Sequence, residues 1–267
     1  MNTFGRRAGI AALLMLLAVA DVSAQVLQPL VHSHNDYAQE KPFRAAYRAG
    51  AHFIEADVWA QEGDLYVSHD RKDIRPEKTL RRMYLKPLRR VLRCGRAHSQ
   101  PLQLMVDVKN GKEALDLLVA IIEREGYRSC FDTALNSDAI RLTITCGADL
   151  SPWWTSYPDY VYFDARPDDA LTEAQWKKVS MISQAHTRYT KWSGSGEMPA
   201  RDQERIRAAS ARAHERGLPF RLWGFPDSPA AWALSLDLGM DYINSDHPAE
   251  VVRWLQDQKS TRQTDRR

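Results

Sequence analysis

Short apolar segments alternate with helical patterns along most of the 267-residue chain. Apolar, β-branched runs predict buried strands, and apolar residues at i, i+3 and i+4 predict amphipathic helices between them. The predicted strands are Leu30–His34, His52–Trp59, Leu65–Ser68, Leu102–Val108, Ile140–Cys146, Tyr160–Asp164, Val179–Gln184, Pro219–Trp223 and Tyr242–Ser245. The alternation predicts an α/β chain with about eight barrel strands, a single (β/α)8 TIM barrel.

Helices are predicted wherever the apolar spacing changes from two residues to three or four. The predicted helical segments are the one that begins at Pro42, a basic one after Arg71, and Lys112–Glu125, Arg201–Arg216, Pro229–Leu238 and Pro248–Gln256. Pro87 is expected to kink or break the basic helix. The polar residues 257–267 predict a disordered tail.

The first 24 residues differ from the rest of the chain. Arg6 and Arg7 precede an apolar run over 9–20, and the small residues of Val22-Ser23-Ala24 follow it. This pattern is typical of a secretory signal peptide that is cleaved after Ala24, which leaves residues 25–256 as the barrel. A membrane anchor or a buried helix is the alternative, but the run is too short to cross a bilayer core of roughly 30 Å. We therefore expect a secreted or periplasmic protein.

Charge and cysteine content narrow the possible partners. The net charge is +3, and the leader and the tail carry all of it, so no overall field favours nucleic acid. Residues 71–96, the basic segment, hold eleven Lys or Arg against Asp73 and Glu77. Two interpretations stay open for this segment, a solvated helix face or an attractive surface for anionic head groups. Among the three cysteines, Cys130 and Cys146 are the candidate pair for a disulfide in an exported chain.

Two strands carry acidic residues on one face. In the stretch FIEADVW, residues two apart share a face, so Phe53, Glu55 and Asp57 point one way. Two neighbouring carboxylates repel each other and are costly to bury, and a divalent cation would remove both costs. Ion pairs of Glu55 and Asp57 with Arg or Lys are the alternative. In LMVDVKN, Asp107 and Lys109 share a face in the same way. Catalytic residues of a (β/α)8 barrel gather at the carboxyl ends of the strands, where these residues lie.

The first strand also ends in polar residues, within LVHSHNDY. Asn35 there, with the three carboxylates, makes a set of oxygen donors, which favours Mg²⁺ or Ca²⁺ over zinc. His34 and His69 add two imidazoles beside this set, which suits acid–base chemistry near neutral pH. His32 shares a face with His34, and the pattern does not rank the two.

Together, these motifs resemble a known superfamily. His34-Asn35, Glu55-x-Asp57, His69-Asp70 and Asp107-x-Lys109, in this order, resemble the phospholipase C-like phosphodiesterases, which include glycerophosphodiester phosphodiesterases and sphingomyelinase D-like enzymes. The segments HSHNDY, EADVW, YVSHD, TLRRMYLKPL, RLWGFPD and DYINSD are similar to the branch named for altered inheritance of mitochondria protein 6.

The resemblance implies a TIM barrel that cleaves a phosphodiester, of lipid or glycerophosphodiester type, with one bound Mg²⁺ or Ca²⁺. It implies metal ligands Glu55, Asp57, Asp107 and Asn35, catalytic histidines His34 and His69, and substrate-binding residues Lys109, Trp223 and Asn244. We further expect a monomer that binds no nucleic acid and whose basic segment is a candidate for contact with a membrane surface.

Two other functions compete with this interpretation. In an amidohydrolase or PHP-type hydrolase, His32 and His34 would themselves bind a transition metal, with further ligands from His186, His214, His247 or Asp246. That reading leaves Glu55 and Asp57 unexplained. The second alternative is a non-catalytic barrel that binds lipid, because a fold alone does not establish an activity.

Overall fold

The computed structural model describes residues 30–94, 102–131 and 140–264. The predicted signal peptide, residues 1–24, lies outside these ranges and stays a prediction. The described strands are β1 (Leu30–Ser33), β2 (Phe53–Gln61), β3 (Asp64–Val67), β4 (Leu102–Val108), β5 (Ile140–Thr145), β6 (Val161–Ala165), β7 (Val179–Ala185), β8 (Phe220–Trp223) and β9 (Tyr242–Ser245).

Eight of these strands form the predicted TIM barrel. They follow one another in the order β8-β7-β6-β5-β4-β2-β1-β9, and every neighbouring pair is parallel. Asp241, just before β9, connects the two ends of this order. Its backbone N–H donates to the Phe220 carbonyl at 3.0 Å, and its Oδ2 accepts from the Phe220 N–H at 2.7 Å. The barrel class that the alternation predicts is therefore confirmed.

The ninth strand, β3, forms a hairpin with the end of β2. Val58–Gln61 of β2 pair with β3 in antiparallel register, and the pairing of β2 with β4 ends at Val58. Glu62 and Gly63 make the turn with φ of 51° and 76°, and two positive φ values are typical of a type I′ hairpin. The hairpin extends beyond the barrel mouth. The chain then returns to the end of β2, where the Ser68 N–H donates to the Asp57 carbonyl at 3.2 Å.

Helices cover the outside of the barrel. They are α1 (Arg44–Ala49), α2 (Lys86–Arg93), α3 (Lys112–Arg124), α4 (Glu173–Trp176), α5 (Ala200–Glu215), α6 (Pro229–Asp237) and α7 (Pro248–Thr264). None of the helices in the described ranges has both the length and the apolar character needed to cross a bilayer.

The basic segment is not one continuous α-helix. A short 3-10 turn covers Arg71–Asp73, and a π-helical turn over Arg81–Leu85 runs directly into α2. Pro87 lies in the first turn of α2 and has no N–H to offer to the carbonyl four residues earlier. The predicted interruption at Pro87 therefore takes the form of a change from π to α geometry.

The carboxyl-terminal residues differ from the sequence-based prediction of a disordered tail. Residues 257–264 continue α7, so this part of the predicted disordered tail is helical. The residues after Gln256 include no glycine or proline until the helix ends at Thr264, and Gln, Lys and Arg are good helix formers. The candidate pair of Cys130 and Cys146 forms no disulfide, since Cys94, Cys130 and Cys146 are all free thiols.

The two faces of the strands build two separate cores. Ile54, Ala56 and Val58, on the outward face of β2, are fully buried in the large core between barrel and helices. Inside the barrel, Phe53 packs with a small apolar cluster near the amino ends of the strands, whose other members are Met105, Met181 and Tyr242. Charged and polar side chains occupy the interior above this cluster, towards the mouth.

Candidate active site

Three carboxylates meet inside the barrel mouth. In the register of β2 with β4, Asp57 is the partner of Asp107, and Glu55 lies two residues before Asp57 on the same face. Each carboxylate offers one oxygen, and these three oxygens lie within 4.8 Å of one another. Glu55 and Asp57 are only 5% and 2% exposed, so the structure gathers three buried or half-buried acids at one point.

This cluster suits a hard divalent cation. Its donors are all carboxylate oxygens, the ligands that Mg²⁺ and Ca²⁺ prefer. Oδ1 of Asp107 is buried and has no hydrogen-bond partner among the described residues, so this acceptor lacks a donor there. Burial raises the pKa of Asp107 to about 6, although Lys109 beside it acts in the opposite direction. A cation would compensate both the repulsion and the unpaired acceptor.

Glu55 is held from behind by a buried network that the sequence analysis missed. Oε2 of Glu55 lies 2.6 Å from His32 Nε2 and 3.0 Å from Arg221 Nη1. Burial acts to raise the pKa of Glu55, but Arg221 and His32 outweigh it and hold that pKa well below its usual value. Burial and then the Arg221 charge lower the pKa of His32 to about 4, so the imidazole is neutral. The only sequence signal for this network was an arginine at an inward position of β8.

Asn35 reaches the carboxylates through a tyrosine. Asn35 has a left-handed backbone, with φ of 46°, just after β1. Its Oδ1 accepts from the Tyr37 hydroxyl at 2.6 Å, and that hydroxyl also lies 3.1 Å from Asp57 Oδ2. Asn35 is thus at the edge of the cluster, as the sequence suggested, while Tyr37 is a site residue that sequence reasoning missed.

His34 is fixed by a carboxylate from the far end of the chain. Its Nδ1 lies 2.8 Å from Asp246 Oδ1, across 212 positions of sequence. Asp246 is itself oriented, since its backbone N–H donates to Asp227 Oδ2 at 3.0 Å. Burial acts to lower the pKa of His34, but the hydrogen bond to Asp246 and the charges of Glu55 and Asp246 together outweigh it and raise that pKa above its usual value. Nε2 of His34 forms no hydrogen bond in the described part of the chain, which leaves this atom for a ligand.

His69 is the second imidazole at the mouth. The β2–β3 hairpin carries it back to the cluster, where its Nδ1 lies 2.9 Å from Asp57 Oδ2. Its side chain is 67% exposed, whereas that of His34 is 27% exposed. Both histidines are therefore anchored at Nδ1 by a carboxylate, and both keep Nε2 without a partner among the described residues.

Lys109 lies among the acids. Its Nζ is 2.8 Å from Asp57 Oδ2 and 2.6 Å from Asp107 Oδ2. Burial acts to lower the pKa of Lys109, but the neighbouring carboxylates outweigh it and raise that pKa, so the side chain is an ammonium.

The two other predicted substrate-binding residues lie in different environments. Trp223, at the end of β8, is 39% exposed, but Asn244 is buried and accepts from Arg221 Nη1 at 3.2 Å.

The geometry does not favour a histidine-ligated metal. Both ring nitrogens of His32 lie within 3.1 Å of Arg221 Nη1, and a cation is repelled by a guanidinium at that distance. His214, one of the further ligands considered, pairs instead with Asp241 at the amino-terminal end of β9, away from the mouth.

The two segments that build this mouth each match a family profile. Residues 20–111 match the AIM6-like phosphodiesterase domain, and residues 219–249 match the glycerophosphoryl diester phosphodiesterase family. Together these matches support the phospholipase C-like phosphodiesterase superfamily and, within it, the AIM6-like branch.

Curated relatives agree with this branch. Altered inheritance of mitochondria protein 6 of Eremothecium gossypii is 27% identical over 81% of this chain and 67% of the relative. A homolog from Arthroderma benhamiae is 34% identical, over 35% of this chain and 37% of the relative. For the relative from Lachancea thermotolerans, the match covers 65% of that protein, so the chain spans about two thirds of the length of such relatives.

Solved structures of the superfamily share the fold. A calcium-dependent phosphoinositol-specific phospholipase C from a Pseudomonas species aligns with a TM-score of 0.53 and 12% identity, over 83% of this chain and 89% of that one. A Ca²⁺-dependent phosphatidylinositol-specific phospholipase C from Streptomyces antibioticus aligns with a TM-score of 0.55 and 12% identity, over 85% and 95%. At this identity the likeness supports the phosphodiesterase-like barrel alone.

Proposed function

We propose that this superfamily member cleaves phosphodiesters, with one divalent cation and a pair of histidines. The observation that carries the proposal is the cluster of Glu55, Asp57 and Asp107 beside two imidazoles, each anchored at Nδ1 by a carboxylate. A phosphodiester is a charged and unreactive substrate, so its cleavage needs both charge neutralisation and proton transfer at the reacting oxygens.

Glu55, Asp57 and Asp107 would hold the cation, with Asn35 as a fourth ligand. The cation supplies Lewis acidity, which stabilises the negative charge that develops on the phosphoryl group. All of these donors are oxygens, which supports Mg²⁺ or Ca²⁺. The calcium dependence in the names of the two structural neighbours favours Ca²⁺. Lys109, already an ammonium within the cluster, would bind a phosphate oxygen and share the neutralisation.

His34 suits the role of general base. A base must hold the proton that it takes, and Asp246 at 2.8 Å stabilises the resulting imidazolium, as its effect on the His34 pKa shows. His69 suits the role of general acid, because its ring lies at the exposed rim of the mouth, where a leaving group departs to solvent. The attacking oxygen is either a hydroxyl of the substrate, which gives a cyclic phosphate, or water.

The substrate that we propose is a phosphodiester of lipid or glycerophosphodiester type. Trp223, 39% exposed at the end of β8, offers an apolar surface at the mouth for the organic part of such a molecule. The basic segment would attract an anionic membrane surface. We propose a monomer acting after export, in the periplasm or outside the cell, with no role for nucleic acid.

The test is hydrolysis of bis(p-nitrophenyl) phosphate, followed by a panel of phospholipids and glycerophosphodiesters with phosphorus NMR of the products. We expect activity that requires Ca²⁺ or Mg²⁺ and that falls about 10²–10⁴-fold in His34→Ala and in His69→Ala. Phosphorus NMR separates a cyclic phosphate from a phosphomonoester.

His214→Ala is the matched control, because His214 is another exposed histidine paired with an aspartate, but at the opposite end of the barrel. Its activity should equal that of the wild type. Full activity in the presence of a chelator, or in His69→Ala, would contradict the proposal. Vesicle binding without any turnover would instead favour the non-catalytic barrel.

A further inference from the structure

Arg221 lies beneath the candidate metal ligands and has no role in the chemistry described so far. It is only 2% exposed, at an inward position of β8. Its Nη1 lies 3.0 Å from Glu55 Oε2, 2.6 Å from His32 Nε2 and 3.2 Å from Asn244 Oδ1. Burial of a guanidinium is costly, so the position calls for an explanation beyond ordinary packing.

Both contacts to the Glu55 carboxylate engage the same oxygen. Arginine usually pairs with a carboxylate through two parallel hydrogen bonds that engage both oxygens. Here Arg221 and His32 both contact Oε2. Oε1 of Glu55 takes part in no hydrogen bond with the described residues. If Arg221 served only to balance the charge of Glu55 in the barrel interior, both carboxylate oxygens of Glu55 would be expected to accept hydrogen bonds.

We infer that Arg221 is a positioning residue that confines Glu55 to one-oxygen coordination of the cation. With Oε2 held by Arg221 and His32, Glu55 offers Oε1 alone to the cluster with Asp57 and Asp107. A carboxylate without such a restraint readily binds Ca²⁺ through both oxygens. The restraint keeps one coordination position open for water or substrate. This inference rests on the proposed function, since it concerns the same cation.

Replacement of Arg221 tests the restraint. In Arg221→Met, Oε2 loses a donor and the site loses a positive charge. We therefore expect Glu55 to bind through both oxygens, with about one water molecule fewer on the ion and a lower Kd for Ca²⁺. Arg221→Lys keeps the charge and a donor, and should restore the wild-type values. Activity should fall in Arg221→Met although its cation binding is tighter.

Eu³⁺ is the probe for hydration, because its luminescence lifetimes in H₂O and D₂O count the water molecules on the ion. Calorimetry with Ca²⁺ gives the affinity, and circular dichroism checks the fold of each variant. A merely structural arginine predicts a less stable Arg221→Met protein with weaker cation binding and unchanged hydration. An unchanged water count in folded Arg221→Met would overturn the inference.

The wild-type protein supplies a second measurement, which does not depend on the folding of any variant. With ¹³C in the glutamate side-chain carboxyl groups, the infrared difference spectrum on Ca²⁺ addition isolates Glu55, the one glutamate in the cluster. One-oxygen coordination widens the separation of the two carboxylate stretching bands, and two-oxygen coordination narrows it. A narrowed separation overturns the inference but leaves the proposed function intact. Absence of binding of Ca²⁺, Mg²⁺ and Eu³⁺ alike overturns both.

Discussion

Asp107 shows how single residues of this site are balanced between opposing influences. Its Oδ2 lies 2.6 Å from the Lys109 ammonium, yet its Oδ1 is buried and no described residue donates to it. Burial dominates, and the pKa of the carboxyl group rises to about 6. The same side chain is therefore a weak proton acceptor near neutral pH and a prospective cation ligand, and protons and cations compete for it.

This competition predicts a pH-dependent cation affinity. A ligating carboxylate must be deprotonated, so Ca²⁺ binding should be independent of pH above the Asp107 pKa of about 6 and should weaken as the pH falls below it. The limiting slope is about tenfold per pH unit, because one proton is displaced. Calorimetry on both sides of pH 6, in buffers of different ionisation enthalpy, measures the affinity and the protons released.

Asp107→Asn is the control for this prediction, because it removes the titrating group while the acids on β2 remain. Its residual Ca²⁺ affinity should be lower than that of the wild type and should lose the dependence on pH near 6. A wild-type affinity that stays constant as the pH falls through 6 would contradict the prediction.

At the scale of elements, the structure divides the basic segment into two groups of residues. Arg81 forms ion pairs with Asp64 and Glu125, and Arg89 lies 4.3 Å from the centre of the Tyr127 ring, so these two arginines hold the segment on the barrel. Four other basic residues on the same helical stretch are exposed and form no ion pair in the described part of the chain: Arg82, Lys86, Arg90 and Arg93. Their helical spacing places them along one stripe.

This exposed stripe predicts binding to anionic membranes. Each basic residue near such a surface contributes about 1 kcal/mol, so the triple variant Arg82→Glu, Lys86→Glu, Arg90→Glu should bind at least about tenfold more weakly. Sedimentation with phosphatidylserine-containing and pure phosphatidylcholine vesicles measures the difference.

The matched control for the stripe reverses three exposed arginines on other helices, Arg201, Arg212 and Arg253, and so changes the net charge equally. Equal loss of vesicle binding in the two triple variants would show that only net charge matters. Unchanged binding in the stripe variant would show that the basic segment is a solvated helix face.

For the whole molecule, the barrel begins well after the predicted cleavage site. Strand β1 starts at Leu30, and its parallel partners are β2 and β9, so every described barrel strand follows Ala24. Removal of residues 1–24 would leave all of these strands in place. The predicted leader is therefore compatible with a barrel that folds after export.

Export predicts a defined amino terminus. When the full chain is expressed in a bacterium with a periplasm, the protein in the periplasmic fraction should begin at Gln25 by amino-terminal sequencing. Ala24→Arg, which removes the small residue required before the cleaved bond, should leave an unprocessed form. A cytoplasmic protein that keeps Met1 would show that the leader is not a signal peptide.

Local rules were sufficient for much of the site. Alternation along β2 placed Glu55 and Asp57 on the inward face, because side chains of a strand alternate with a period of two residues. The same rule, with the polar ends of β1 and β4, predicted that His34 and Asp107 would lie at one mouth. Where it depended on tertiary contacts, the prediction was incomplete. Asn244, expected at the mouth, belongs to the buried network around Arg221.

The sequence by itself determined the order of strands and helices, the barrel class and the faces of the acidic strands, because propensity and periodicity act between near neighbours. Closure of the barrel decided the rest. It brings Arg221 to Glu55 across 166 positions and Asp246 to His34 across 212. Such pairs depend on the register of distant strands, which no local pattern encodes. The acids of this site were therefore readable in the chain, but the groups that orient them were visible only in the fold.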